Sequence, residues 1–355
     1  MISATFGVQA RHLHSGLQHA STNIYDMRSS GSLELRLGAE LVSEPALDQL
    51  SGPGFRLDWI EANQPFARPV PTLSAPSRVT YFLDGSQRTL PGYHCVAIPI
   101  MASITAAAIL ERSSPSDLRI MPGMISLDSS WLAPLQTSHA DIRNFIDLVS
   151  RSGNRVVDPL KDVPEPAYSA LLRDYTTMEQ RALAASREIR GGLERDLLGR
   201  WQHRQDNHDD WIIVDGALRG GSQNTIGLVK SLTRQYVSGD YADQLFRLPA
   251  GYRTSAFVVD DQWRPGAIAV WYLRLRDATG RDPRHGLVRV EISDPNLGAE
   301  QVDAISGWVL AERTPRATAD SRWATLLYPI HYLERILKRA IDNETRFWPG
   351  TGARS

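Results

Sequence analysis

The sequence has few of the features that would assign it to a specialised class of protein. Its 355 residues include one cysteine, Cys95, which excludes an intramolecular disulfide framework and a cysteine-rich zinc site. Neither sign of charge dominates, since 39 basic residues stand against 40 acidic ones and the net charge is −1. Without a global basic field, any contact with nucleic acid has to use local patches.

The sequence also lacks a long apolar run and a secretory signal segment. The candidate for a membrane span, Cys95 to Leu110, is uncharged but falls short of about 20 residues and contains proline and hydroxyl side chains, so it predicts a buried strand. Gly220 and Gly221 are not followed by the Lys-Ser/Thr pair of a phosphate-binding loop, which argues against ATP binding. We therefore expect a cytoplasmic protein without membrane contact.

What is present is typical of a soluble globular protein, with 42% apolar and 22% charged residues. The length allows two domains, or one large domain with insertions. We expect an N-terminal extension with a proline-rich connector over 1–77 and a main domain over 78–345. Within the main domain we expect a helical insertion at about 130–205. A tail over 346–355 follows the main domain.

Three β-prone runs open the main domain. The first, Val79 to Leu83, ends at Asp84-Gly85-Ser86, and the runs Tyr93 to Leu110 and Leu118 to Leu127 follow. Their close succession predicts an antiparallel meander.

Helical and further β signals follow the meander. Residues Ala167 to Arg200 contain no proline and carry an apolar stripe at helical spacing, which predicts a helix. The run Trp211 to Val214 predicts a strand, and the runs Ala267 to Arg276 and Leu287 to Ile292 predict an exposed hairpin. Apolar positions at helical spacing predict a final helix from about His331.

Two of the apolar β runs end in Asp-Gly, at Asp84 and at Asp215. A carboxylate at the end of a buried strand is costly to desolvate unless a partner or a cation compensates it, so two such acids predict a shared metal site. For either one alone, a simple turn after the strand is the favoured interpretation.

The order of these elements favours a ribonuclease H-like α/β fold, a mixed sheet with flanking helices. A strand with an acid, a meander, a helix and a second strand with an acid is the layout of that fold. There, acids at adjacent strand ends and a glutamate on a helix bind divalent metal, which can activate water and clamp a phosphate between two ions.

The chain resembles the NurA nucleases of DNA end processing. The matching stretches occur in family order over most of residues 79 to 340: LDGS at Leu83 to Ser86, IVDGAL at Ile213 to Leu218, IGLVKS at Ile226 to Ser231, GYRTSAF at Gly251 to Phe257, WYLRL at Trp271 to Leu275, LVRVEI at Leu287 to Ile292 and DSRWATLLYPIH at Asp320 to His331.

The resemblance implies roles for particular residues near the C-terminus and on the long helix. Arg322 fits the family's arginine and His331 its catalytic histidine, while Trp323 replaces the family's tyrosine and Ala324 its proline. The family's helical glutamate corresponds to Glu188 or Glu194. These differ by six positions and flank opposite sides of the apolar stripe, so one of them faces the site; we favour Glu188.

The resemblance also implies contacts with DNA and a set of partners. Lys230 is a candidate phosphate contact, and Arg253, Arg274 and Arg289 are candidate backbone contacts on β elements. The family's activity is 5′-to-3′ exonuclease and single-strand endonuclease cleavage in end resection or defence against foreign DNA, as a homodimer with a HerA-type hexameric ATPase translocase. Oxygen and imidazole ligands favour Mn²⁺ over Mg²⁺.

Two other functions remain open from the residues. One is a catalytically silent DNA-binding scaffold subunit of such a translocase complex, which the substitutions at Trp323 and Ala324 keep open. The other is a metal phosphatase acting on small substrates, which would need a closed pocket in place of an open basic groove.

Overall fold

The computed structural model describes 34–35, 58–62, 65–72, 76–95, 98–114, 117–204, 209–218, 221–232, 235–260, 266–313, 325 and 327–345. Within these residues the chain forms thirteen strands: β1 Glu34–Leu35, β2 Asp58–Trp59, β3 Ala67–Pro69, β4 Val79–Cys95, β5 Ile98–Ser114, β6 Asp117–Leu132, β7 Arg155–Val157, β8 Trp211–Asp215, β9 Thr225–Val229, β10 Tyr252–Thr254, β11 Phe257–Val259, β12 Ile268–Arg274 and β13 Leu287–Ile292.

Six helices accompany these strands. They are α1 Ala140–Arg151, α2 Ala167–Leu171, α3 Tyr175–His203, α4 Asp240–Phe246, α5 Ala299–Ala311 and α6 Tyr328–Thr345. The α/β class predicted from the sequence is therefore confirmed. Of the described helices, none is at once long enough and apolar enough to cross a bilayer.

All thirteen strands join one mixed sheet. Its main path runs β2-β11-β12-β13-β9-β8-β4-β5-β6-β7, while β1 pairs with β4 and β10 pairs with β12 and β3. The pairs β4/β8, β8/β9 and β6/β7 are parallel, and the other pairs are antiparallel. A parallel pair needs a long crossover between its strands, and α1, α2 and α3 lie in the chain between β4 and β8.

The antiparallel meander predicted from the three β-prone runs is confirmed as β4, β5 and β6. The prediction that the first run stops at Asp84 is wrong, because β4 continues to Cys95 and Asp84 pairs with Ala108 in the middle of the strand. Asp-Gly is tolerated there because long-range pairing with β5 outweighs the local turn preference. The apolar run Ile98 to Leu110 is a fully buried part of β5, as predicted.

The two faces of the sheet around β4 and β8 carry different helices. Side chains alternate along a strand, so Phe82 and Ile213 lie in one core cluster with Leu333 of α6. Leu83 and Val214 lie in another cluster with Leu197 and Trp201 of α3. Helices α3 and α6 thus cover opposite faces at the point where β4 and β8 run side by side.

The segment expected to be an irregular N-terminal extension contributes to the sheet where it is described. Strand β2 pairs with β11, and β3 pairs with β10. Between these two strands Glu61, 5% exposed, accepts two hydrogen bonds from Arg253 at 2.7 and 2.9 Å. The expectation that this segment is only an extension and connector is therefore wrong for residues 58–62 and 65–72.

Two further expectations are corrected by the structure. The hairpin β12/β13 forms in the expected place, but every residue of both strands is buried. It is covered because its side chains pack into hydrophobic clusters on both faces of the sheet. The final helix α6 starts at Tyr328, three residues before the predicted start.

Candidate metal centre

Asp84 and Asp215 lie on neighbouring strands at the same level of the sheet. Strands β4 and β8 pair in parallel, with Leu83 opposite Val214, so the two aspartates are the next residues in register. Neighbouring strands are about 4.8 Å apart. Because side chains alternate, both aspartates take the face that Phe82 and Ile213 occupy, which is the face covered by α6.

The carboxyl group of Asp84 is buried, and one of its two oxygen atoms has no hydrogen-bond partner. Its Oδ1 accepts a hydrogen bond of 2.8 Å from the backbone N–H of Gly85, while Oδ2 is buried without a hydrogen-bond partner. Burial raises the pKa of Asp84 well above its ordinary value, and the negative charge of Asp215 raises it further. Such a group is stable as a carboxylate only beside a compensating positive charge.

Lys230 supplies part of that positive charge. Its Nζ lies 2.9 Å from Oδ1 of Asp215, with 9% of the lysine side chain exposed. It comes just after β9, where Leu228 is the register partner of Asp215. Lys230 lowers the pKa of Asp84, in opposition to burial. The residue predicted to contact a phosphate thus lies in the site, paired with an aspartate.

Glu194 of α3 reaches the same place from the other face. A Cβ atom added to Gly85 would overlap with Oε1 of Glu194, so the glycine makes room for this carboxylate. Arg190 lies 3.3 Å from the same oxygen. Glu194 also raises the pKa of Asp84, through like-charge repulsion. The glutamate kept as the alternative is therefore the one beside Asp84.

Glu188, the favoured glutamate, is placed elsewhere. Its side chain is 55% exposed, and its Oε1 accepts a hydrogen bond of 2.7 Å from Lys161. Six residues correspond to about 600° of helical rotation, so Glu188 and Glu194 point in different directions from α3. The expectation that Glu188 faces the aspartates is wrong, because the sequence shows the helical spacing but not the rotation of the helix about its axis.

Helix α6 brings two further groups to the aspartates' face. His331 has a buried Nδ1 atom without a hydrogen-bond partner, and Glu334 follows it by three residues. Glu334 raises the pKa of Asp84 by charge repulsion and pairs with Lys338 at 2.9 Å. Sequence reasoning missed Glu334; its position one helical turn after His331 was the available signal. Arg322, Trp323 and Ala324 lie outside the described residues.

The arginines predicted to bind DNA are structural. Arg253 has a fully buried side chain that pairs with Glu61 and with Asp303. Arg274, also buried, donates to backbone carbonyl groups, among them that of Pro283 at 2.7 Å. Arg289 is 3% exposed and pairs with Glu291. These three expectations are wrong, because an arginine on an interior strand has to satisfy its charge inside the protein.

A cavity of about 170 Å³ opens beside the acids. Leu83, Val214 and Asp215 line it from the sheet, and Glu194 and Arg195 line it from α3.

The donor atoms fit a hard divalent cation. Carboxylates are the ligands that Mg²⁺ and Mn²⁺ prefer, and imidazole suits the more borderline metals. The unpartnered Oδ2 of Asp84 is a buried polar atom that a bound ion would satisfy. Asp84 and Asp215 are therefore the residues that would hold such an ion, while Glu194 and Glu334 act on the charge of Asp84. The role of His331 as a ligand stays a prediction.

A second group of potential ligands lies away from this site. Ligand atoms of Cys95, His139 and Asp141 come within 4.8 Å of one another. Burial, and then the charge of Asp141, raise the pKa of the Cys95 thiol to about 11. A thiol binds metal as the thiolate, so at neutral pH this environment opposes metal binding.

Comparison of the sequence with models of known protein families finds no match. Comparison with curated proteins finds no match either.

Proposed function

We propose that this protein is a divalent-metal-dependent nuclease that hydrolyses phosphodiester bonds in DNA. The observation that carries the proposal is the buried Asp84, which has one unpartnered carboxylate oxygen beside Asp215, Glu194 and Glu334. Lys230 offsets only part of this negative charge. A site that gathers acids around a buried carboxylate at a cost to stability favours a functional role that needs a cation.

A bound divalent ion would polarise the phosphate, lower the pKa of water and neutralise the leaving oxygen. The chain's own residues would do the rest. Lys230 holds Asp215 in place through its 2.9 Å contact. His331, with Nδ1 free of hydrogen bonds, serves as ligand or proton carrier.

The topology around the site supports the ribonuclease H-like assignment. Strands β4, β5 and β6 form the antiparallel meander, and β8 and then β9 add in parallel on the other side of β4. This is the layout expected of that fold, with the acids on its two central strands. The resemblance to NurA nucleases extends the proposal to a cytoplasmic homodimer that works with a HerA-type ATPase and uses Mn²⁺ or Mg²⁺.

The test is cleavage of end-labelled DNA by the purified chain in Mn²⁺, Mg²⁺ or EDTA. Cleavage should require the metal, and Asp84→Asn or Asp215→Asn should lower its rate by at least about 100-fold, because a metal's charge stabilisation is worth several kcal/mol. Full activity in EDTA would overturn the proposal. DNA binding without cleavage under any of these conditions would favour the catalytically silent scaffold instead.

The two glutamates of α3 provide a matched pair for the same assay. Glu194→Gln removes a charge beside Asp84, whereas Glu188→Gln removes a charge from an exposed pair on the same helix. We expect the first change to lower cleavage and the second to leave it unchanged. Equal losses in the two variants would mean that the effect comes through α3 and not through the site.

A further inference from the structure

A second, larger cleft adjoins the cavity beside the acids. It has a volume of about 810 Å³ and lies between the last turns of α3 and the middle of β6. Arg195 and Gly199 line both spaces, so the two adjoin each other along α3. A ligand that contacts Asp215 and Glu194, which line the smaller space, can therefore extend along this helix into the larger cleft.

The wall of the large cleft is basic. Arg195, Arg200 and Arg204 line it together with His203, and Asp196 is the one acidic residue in its lining. All five residues are exposed. In the described part of the chain, no carboxylate forms an ion pair with any of the three arginines. Cations whose charge no carboxylate neutralises provide, along a groove, the local charge density that an anionic polymer needs.

The opposite wall holds two of these arginines in place. The β5/β6 ladder changes register between Ile120 and Ile125, and Gly123 in this bulge has a φ of 75°, which favours glycine. Arg200 donates to the carbonyl oxygen of Gly123 at 3.4 Å, and Arg204 to that of Pro122 at 3.0 Å. Each bond uses one Nη1 group, which leaves the other donors of each guanidinium available for a ligand.

The spacing of the arginines suits a phosphate chain. With a rise of about 1.5 Å per helical residue, Arg195, Arg200 and Arg204 span about 13.5 Å along α3. Successive phosphates of one strand in a duplex advance by about 3.4 Å, so the span covers about four phosphate steps. No base-specific pocket is required, since contacts to phosphate carry no sequence information.

We propose that this arginine strip, Arg195, Arg200 and Arg204, binds the sugar-phosphate backbone of the DNA strand whose scissile phosphate lies at the acids. The inference rests on the proposed function and deepens it by assigning the substrate path. It also replaces the buried Arg253 and Arg274 with exposed residues as the DNA contacts.

The test is binding of a fluorescein-labelled single-stranded oligonucleotide, followed by fluorescence anisotropy in EDTA over a range of salt concentrations. For Arg200→Ala/Arg204→Ala, loss of two phosphate contacts should reduce the slope of log K against log salt by about 1.4 and weaken binding about 25-fold at 0.1 M salt. The variant Arg200→Lys/Arg204→Lys keeps the charges and should retain most of the affinity, which separates lost contacts from misfolding.

Arg181→Ala is the matched control. Arg181 is exposed on the same helix, about 21 Å before Arg195 by the helical rise, and its removal should leave binding unchanged. The proposal would be overturned if Arg181→Ala weakened DNA binding as much as the double alanine variant does. It would also be overturned if the double alanine variant bound DNA as tightly as the wild type. Unchanged DNA binding together with weaker binding to phosphatidylserine vesicles would assign the strip to an anionic membrane surface.

The measurement needs no cleavage. If the wild-type chain does not cut DNA but the double alanine variant loses binding as described, the proposed nuclease function is refuted and the proposed DNA contact of the arginine strip stands. If the wild-type chain cuts DNA as proposed but the double alanine variant has the same salt slope as the wild type, only the proposed role of the arginine strip is refuted.

Discussion

At the scale of single residues, the site is set by the conflict between burial and charge at Asp84. Its carboxyl group has one bonded and one unpartnered oxygen, and three nearby acids act against its ionisation while Lys230 favours it. Such an arrangement destabilises the folded chain when the group is charged, and it is expected where function requires the charge.

This conflict predicts that Asp84→Asn stabilises the protein at neutral pH in EDTA. Because burial raises the pKa of Asp84 in the folded state, the native protein gains stability from the protonated group below its unfolded pKa. This gain is lost as the pH rises through the folded pKa. Asparagine mimics the protonated form, so its Tm should exceed that of the wild type at pH 7, and the difference should shrink toward low pH.

Thermal unfolding between acid and neutral pH checks this prediction. The variant Glu188→Gln, which changes a half-exposed carboxylate, is the control and should show no such pH-dependent difference. A lower Tm for Asp84→Asn at neutral pH would mean that the carboxylate stabilises the fold in the absence of metal.

At the scale of elements, a buried charge cluster ties the N-terminal segment to the sheet. Glu61 lies between β2 and β3 and contacts Arg253 of β10 and Arg68 of β3. It also accepts a hydrogen bond of 2.8 Å from the backbone N–H of Ala256. Arg253 in turn contacts Asp303 of α5 at 2.6 Å. One carboxylate therefore connects strands that are distant in the sequence.

We expect Glu61→Ala to lower the free energy of unfolding by about 3 to 5 kcal/mol, because removing one partner of a buried ion pair leaves the other charge uncompensated. Urea unfolding measures the loss. Glu188→Gln breaks an exposed pair and should cost no more than about 1 kcal/mol. Similar losses for the two variants would show that the Glu61 cluster contributes no more than a surface pair.

At the scale of the whole molecule, the net charge of −1 limits how firmly the isolated chain binds long DNA. Non-specific affinity grows with the number of phosphates neutralised, and the arginine strip provides few contacts. Under the proposed function, we therefore expect processive resection to need a partner that grips and feeds DNA, the role that the family resemblance assigns to a HerA-type hexamer.

We expect the isolated chain to degrade long duplex DNA slowly, and addition of the hexamer with ATP to accelerate degradation by at least about tenfold, a difference of about 1.4 kcal/mol in activation free energy. Gel analysis of long duplex with and without ATP measures this effect. Rapid and processive digestion by the chain alone would remove the need for a motor.

Deletions locate the proposed contact with the hexamer. Deleting 1–33 spares β1, whereas deleting 1–57 removes β1 and stops before β2 and Glu61. If the extension docks the hexamer, co-elution in size-exclusion chromatography should be lost with one of these deletions. Co-elution that survives both would place the interface on the sheet domain.

Local pattern by itself determined much of the protein's organisation. Alternation and β-prone composition predicted the meander and the β12/β13 pair, and helical periodicity predicted α3 and α6, since these signals come from neighbouring residues. The two Asp-Gly pairs identified Asp84 and Asp215, which the structure places side by side on β4 and β8.

Only the tertiary structure decided which other side chains join them. The rotation of α3 selects Glu194 over Glu188, the packing of α6 adds Glu334, and burial of β10 and β12 turns Arg253 and Arg274 into structural residues. These outcomes depend on which distant elements pack together and with what orientation. A periodic sequence specifies which residues share a face, but the partner of that face follows from the packing of the whole chain.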